Sequence, residues 1–227
     1  TGIKISNGVF VLFLDADDWL LPEVIELNLN YLHSNKNLAF VSGGHLKVFD
    51  NNKLVTEKQE IIDNHFVHLL KGNYIGMHAT VLYRRWVFDD FSFDETLKNC
   101  EDYDLYLKIA RKYPVLHHTH LIAAYRFHQS NMSSNVPAML KGVLNILERQ
   151  KSKLKNSNEE KALAEGKKIW KAYYCDELYK GLLLRKITVD KKVFKTLLKY
   201  KPVLILKYLL KTKLDVKTTH FKISTNL

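Results

Sequence analysis

The stretch that most limits how this chain can fold is Val9-Phe10-Val11-Leu12-Phe13-Leu14, which runs without a break into Asp15-Ala16-Asp17-Asp18-Trp19. An apolar run of this length, rich in Val, Leu and Phe, predicts a strand buried on both faces. The carboxyl end of such a strand is where open α/β sheets bind their ligands. Here that end carries Asp15, Asp17 and Asp18. Three carboxylates so close repel one another unless a cation or a set of donors compensates them. A hard divalent cation bound through oxygen and shared with a substrate phosphate, Mn2+ or Mg2+, is the economical solution. The alternative is a turn followed by a capped helix, since Asp is common in both places.

Two further segments follow at a distance: Asn99-Cys100-Glu101-Asp102-Tyr103-Asp104-Leu105 and Tyr125-Arg126-Phe127-His128. Together with Gly8 to Pro22, GVFVLFLDADDWLLP, they resemble the DXD, ED and YRxH segments of family 2 glycosyltransferases, in that order. Phe93-Asp94-Glu95-Thr96-Leu97 is similar to the FDE-x-L segment of the same family, and His128 with Asn131 and Ser133 to its YRxH-x2-N-x-S segment. The resemblance covers about residues 1–135 and implies an α/β fold of the GT-A type: a Rossmann-like core on a mixed, mostly parallel sheet. Residues 136–227 then form a helical C-terminal region. Thr1-Gly2-Ile3 resembles the end of the family's N-x-G-I segment. The resemblance therefore implies a core lacking the N-terminal part of its nucleotide-binding domain, and a fragment is expected.

The resemblance also assigns roles. Asp17 is the expected metal ligand. Asp15 joins it at the metal or accepts from the donor's ribose, and His128 completes the metal site. Asp102 is the expected catalytic base, with Glu101 as the alternative base or as an acceptor-positioning group. Gly76 and His78 face donor sugar and acceptor, Gly76 allowing close approach to its backbone, and Arg126 helps neutralise the diphosphate. The implied reaction moves a sugar from a nucleotide-sugar, a UDP-sugar foremost, to a saccharide or lipid-linked acceptor with inversion, in the synthesis of cell-surface polysaccharide or glycolipid. On helix physics alone, Glu101 and Asp102 are acids in a first turn, favoured by the helix dipole, and a single His after a strand is more often structural than a ligand.

Composition narrows the setting. The chain has 227 residues and a formal net charge of +11. That charge permits binding to nucleotide phosphates or anionic lipid; a nucleic-acid partner is not expected. Cys100 and Cys175 make no disulfide framework and no metal-ligand spacing, which suits a reducing compartment. No secretory signal or bilayer-spanning apolar run is present. The expected location is the cytoplasm, with peripheral contact at the inner face of the membrane.

Taken in order, Ile3 to Asn7 closes a helix with Asn7-Gly8 as a left-handed stop. Pro22 opens a helix to about His33. Leu38–Ser42 is a strand, and His45–Thr56 a hairpin turning at Asp50-Asn51-Asn52. Asp63 caps a helix through Leu70. Ala79–Tyr83 is a strand, after which Arg84 and Arg85 are surface residues or phosphate contacts. A helix spans Glu101–Lys112, and Val115-Leu116 and Ile122–Phe127 form two strands. Helices follow over Val136–Leu154 and Glu159–Leu184, then one capped by Asp190, then one opened by Pro202. The last carries Val203, Leu204, Leu206, Leu209 and Leu210 among Lys201, Lys207, Lys211 and Lys213. It is either a core helix with solvated lysines or a basic amphipathic helix for an anionic membrane surface.

Two other functions remain open from sequence. Haloacid-dehalogenase-like phosphatases also place D-x-D after an apolar strand, which makes Asp15 a nucleophile and Asp17 its Mg2+ partner. Here, however, Asp18-Trp19 follows the motif, and Glu101-Asp102 opens a helix. The third reading is a catalytically incomplete binding module derived from the glycosyltransferase fold.

Overall fold

The computed structural model describes residues 2–128 and 131–223, with side chains to residue 212 except that of Met132. Chain order is α1 (Gly2–Ile5), β1 (Phe10–Leu12), β2 (Trp19–Leu20), α2 (Val24–Ser34), β3 (Phe40–Phe49), β4 (Leu54–Glu57), α3 (His65–Lys71), β5 (Leu82–Arg84), α4 (Val87–Asp90), α5 (Glu101–Lys112), β6 (Val115–Phe127), α6 (Val136–Gln150), α7 (Ser157–Leu183), α8 (Lys191–Tyr200) and α9 (Pro202–Ile223). The sheet runs β1-β5-β3-β6-β2, with β4 on β3. It is mixed. The long pairing of β3 with β6 is parallel, and the other four pairings are antiparallel, so the mostly parallel sheet expected from sequence is not what forms.

The apolar run from Val9 to Leu14 makes a shorter strand than its composition suggests. β1 holds only Phe10 to Leu12, and Val9 and Leu14 are 70% and 47% exposed. Among the described residues β1 pairs with β5 alone, so its side chains meet neighbours on one edge only. Asn7 and Gly8 are not left-handed; α1 ends at Ile5 without that stop.

β3 and β6 are each continuous where sequence suggested two pieces. β3 passes through Ser42-Gly43-Gly44 with register shifts at the glycines. A Cβ on Gly43 would sit 2.5 Å from the His118 ring and 2.7 Å from the His120 carbonyl oxygen. Only glycine lets β6 come so near. β6 passes through His117-His118-Thr119-His120, the first two histidines each finding a partner for one ring nitrogen inside, while His117 Nε2 and His118 Nδ1 stay buried without one. His117 Nδ1 lies 2.8 Å from Ser42 Oγ, and His118 Nε2 lies 2.9 Å from Asn28 Oδ1.

The helices largely follow their signals. α5 has the expected bounds and is entered through Cys100 in a left-handed conformation, φ 60°. Asn64, rather than Asp63, is the residue before α3, also left-handed. Asp190 caps α8 by accepting from the Lys192 and Val193 amides, and Pro202 is the first residue of α9. Arg84 and Arg85 serve backbone carbonyls. Arg84 donates to Leu38 and to Leu32 near the end of α2, and Arg85 to Ile3 and Gly8.

One core joins the sheet, α3 and α5 to α6 and α7. It includes Phe40, Tyr83, Tyr103, Tyr106, Ile146, Leu147 and Leu163. A second apolar cluster lies where α7, α8 and α9 meet, around Leu178, Leu182, Val193, Leu197, Leu204 and Ile205. No helix of the described residues is long and apolar enough to cross a membrane.

Candidate active site

The acidic loop sits beside the end of β6 because β2 pairs with it, Trp19 opposite Ala124 and Leu20 opposite Ala123. That pairing folds residues 15–18 back as a turn, with the Asp18 amide donating to the Asp15 carbonyl. Asp17 Oδ2 lies 2.9 Å from His128 Nε2, across 111 residues of sequence. Asp18 Oδ1 accepts from the Arg126 amide at 3.0 Å, and the Arg126 guanidinium stands 5.7 Å from the Trp19 ring centroid. Asn131 ties this corner: its Oδ1 accepts from the His128 amide and its Nδ2 donates to the Arg126 carbonyl.

The acids are not equivalent. The hydrogen bond from His128 holds the Asp17 carboxyl below the usual range. Burial, with the charges of Asp17 and Asp15 nearby, pushes Asp18 up to about 6, against the pull of the Arg126 amide. Asp15 is exposed at the rim of the loop. So the structure brings Asp17, His128 and Arg126 together around the turn that Asp15 begins. It adds Asp18, which sequence reading named without giving it a role. No group of three or more metal-ligating side chains stands assembled among the described residues. Mn2+ and Mg2+ need no such cage when a substrate phosphate completes the shell, since one or two protein ligands are then enough.

Glu101 and Asp102 occupy the first turn of α5. The loop that delivers them is pinned from α6: Arg149 Nη1 lies 2.6 Å from Asp94 Oδ2, and Asn99 Nδ2 donates to the Ala138 carbonyl. Burial pushes the Asp102 carboxyl up to about 6, with the Glu101 charge in the same sense and the Tyr103 amide opposing. The Tyr106 hydroxyl is buried and interacts with both Asp102 and Tyr83, without a strict hydrogen bond to either.

His78 joins this group from the turn before β5. Its Nε2 lies 3.1 Å from the Tyr83 hydroxyl, and its ring stacks on Phe13 at 4.6 Å between centroids. Phe93 and Tyr106 meet its edges, and burial drives its pKa down to about 4. Phe13, two residues before Asp15, therefore links the acidic strand end to the aromatic box beneath Asp102. Gly76 is exposed and left-handed, φ 69°, with the His45 ring 3.0 Å from where its Cβ would be. Phe13, Tyr83 and Tyr106 were missed from sequence. Their signals were modest: Phe13 directly precedes the acidic motif, and Tyr106 is one helical turn after Asp102.

Two open surface clefts lie elsewhere, one lined by Phe66, Arg111 and Glu159 and another by Glu23, Leu27 and His120.

No family model matches the chain. It is similar to the Escherichia coli UDP-Glc:alpha-D-GlcNAc-diphosphoundecaprenol beta-1,3-glucosyltransferase, 32% identical over 152 residues, covering 65% of this chain and 57% of that protein. It is 25% identical over 124 residues to E. coli chondroitin synthase, covering 52% of this chain and 17% of that one. A crystal structure of S. aureus TarS superposes with a TM-score of 0.53 at 16% identity, over 87% of this chain and 56% of that one. These relatives are glycosyltransferases, which supports the family 2-like likeness of the motifs. The chain's fold is GT-A, which leaves the phosphatase reading of Asp15 and Asp17 without its scaffold. The chain spans a little over half the length of its glucosyltransferase relative and of the crystallised TarS 1-349 chain.

Proposed function

We propose that this chain carries the catalytic side of a transferase that moves a sugar from a nucleotide-diphosphate sugar to an acceptor hydroxyl in surface-polysaccharide or glycolipid synthesis. The observation that carries the reading is the Asp17–His128 contact at 2.9 Å. It joins two segments far apart in sequence at the end of the strand where α/β sheets bind ligands.

In this reading Asp17 and His128, with Asp15, would hold Mn2+ or Mg2+. The ion supplies charge neutralisation at the leaving group. Arg126, beside the same loop, adds positive charge for the diphosphate. Asp102 takes the proton of the acceptor hydroxyl as that oxygen bonds to the anomeric carbon. The bond from that carbon to the nucleoside diphosphate breaks on the opposite face, so the configuration inverts. A carboxyl with a pKa of about 6 is ionised at neutral pH and basic enough to assist. Glu101, adjacent on the first turn, orients the acceptor. The undecaprenyl-linked substrate in the name of the glucosyltransferase relative supports a lipid-linked saccharide as acceptor.

The test is calorimetric titration of UDP into the chain with Mn2+, repeated with chelator and with Asp17→Ala. Binding that requires the metal and is lost in the variant supports the reading. Silence toward UDP and the other nucleoside diphosphates with Mn2+ present overturns it.

A further inference from the structure

The two last helices, α8 and α9, present a second face left exposed among the described residues. Inward, Val193 and Leu197 of α8 and Leu204 and Ile205 of α9 are buried in the second apolar cluster. Outward, Phe194, Leu198, Val203, Leu206, Leu209 and Leu210 are between 41% and 56% exposed. Helical spacing groups them. Phe194 and Leu198 are one turn apart on α8, and Val203, Leu206 and Leu210 follow i, i+3, i+7 on α9. Helices that serve only as a core layer show solvent one polar face, and these two do not.

The charge on the same elements has one sign. From residue 191 to residue 212 the sequence holds lysines at 191, 192, 195, 199, 201, 207 and 211 and no Asp or Glu. Lys201 is turned toward Asp176, at 2.8 Å, and the other six are exposed. Lys195 lies next to Phe194 and one turn before Lys199, and Lys207 and Lys211 flank Leu210.

We infer that the outward face of α8 and α9 docks on an anionic lipid surface, with its leucines and Phe194 in the acyl boundary and its lysines at the headgroups. This combination selects the occupant. A nucleic acid would neutralise the lysines but bury none of the six apolar side chains. A second copy of this chain would cover the apolar side chains but set lysines against lysines. An anionic bilayer surface satisfies both. The inference stands on α8 and α9 and does not depend on the chemistry at Asp102.

The test is co-sedimentation of the whole chain with phosphatidylglycerol–phosphatidylcholine vesicles and with phosphatidylcholine vesicles. Partitioning should be at least about tenfold stronger on the anionic vesicles, because each lysine near such a surface contributes about 1 kcal/mol, roughly a fivefold factor. The triple change Leu198→Ser, Leu206→Ser, Leu210→Ser should lower it about tenfold or more while leaving the thermal melt of the protein in place. Lys195→Gln with Lys207→Gln and Lys211→Gln should lower the anionic preference by about tenfold or more and leave residual binding. No partitioning onto anionic vesicles at low salt overturns the inference. So does a serine variant that still binds, or a dimer in light scattering that these serine changes dissociate while vesicle binding is absent.

Discussion

Asp102 illustrates how a side chain acquires chemistry from where a helix begins. An acid in a first turn is ordinarily stabilised as its anion by the helix amides. Here burial against Tyr83 and Tyr106 outweighs that, and the carboxyl rises to about 6. Asp102→Asn should therefore lower sugar transfer by about 10²–10⁴-fold, the usual span for a lost general base, while UDP binding at the acidic loop persists. In the wild type, transfer should fall as pH drops through about 6, because the base is then protonated. Interaction with the Tyr106 hydroxyl works to lower the Asp102 pKa. Tyr106→Phe should thus move this acid limb to higher pH, and since that buried hydroxyl has no strict hydrogen bond, its removal should cost little stability. A pH–rate profile of the two proteins checks both statements. From sequence, the acids of this site could be located by their types and spacing. The hydroxyls and rings around them could not, because only the folded helix and strand bring Tyr106, Tyr83 and His78 to Asp102.

At the scale of elements, the contact between α3 and α7 is set by a missing side chain. A Cβ on Gly166 of α7 would stand 2.0 Å from the Leu70 carbonyl oxygen of α3. Alanine favours a helix interior by about 1 kcal/mol over glycine, yet here it must push two backbones apart, and overpacking costs about 1–3 kcal/mol or more. The clash wins, so Gly166→Ala should lower the unfolding free energy by about 1–2 kcal/mol, measured by urea unfolding. The same logic explains which elements could be read in advance. α5 and α8 were legible from first-turn acids, the Asp190 cap and apolar periodicity, because those signals are local. β3 and β6 were not, because their apparent breaks, Ser42-Gly43-Gly44 and the histidines from 117 to 120, are resolved only across the pairing. Ser42 pairs with one ring nitrogen of His117, Asn28 with one of His118, and Gly43 makes room for β6. The antiparallel character of most of the sheet was hidden for the same reason.

At the scale of the whole molecule, the buried histidines set its tolerance of acid. His45, His65, His78 and His118 are held down to about 4, and His117 to about 3, in each case first by burial. Unfolded, each would take a proton near pH 6.5. Their contribution to stability is therefore complete above about pH 6.5 and declines as pH falls toward 4. A histidine shifted from 6.5 to about 4 withholds roughly 2 kcal/mol at pH 5. Asp18 and Asp102, raised to about 6, act in the opposite sense over the same interval, but five groups outweigh two. Even with the histidine figure halved for relaxation, the melting temperature should drop by roughly 10 °C between pH 7.5 and pH 5; a melt that is flat across this range would contradict the burial of this cluster. The parallel pairing of β3 with β6 has a kinetic side as well. It joins Ser42 to His117 across 75 residues, so the chain must close a long loop before that contact returns any energy. The helices, built from neighbours in sequence, have no such wait. β2 can find β6 only once β6 is in place, and Asp17 meets His128 through that strand. This contact should therefore be among the last to form, so after dilution from denaturant the helical signal should return before the Asp17–His128 corner closes.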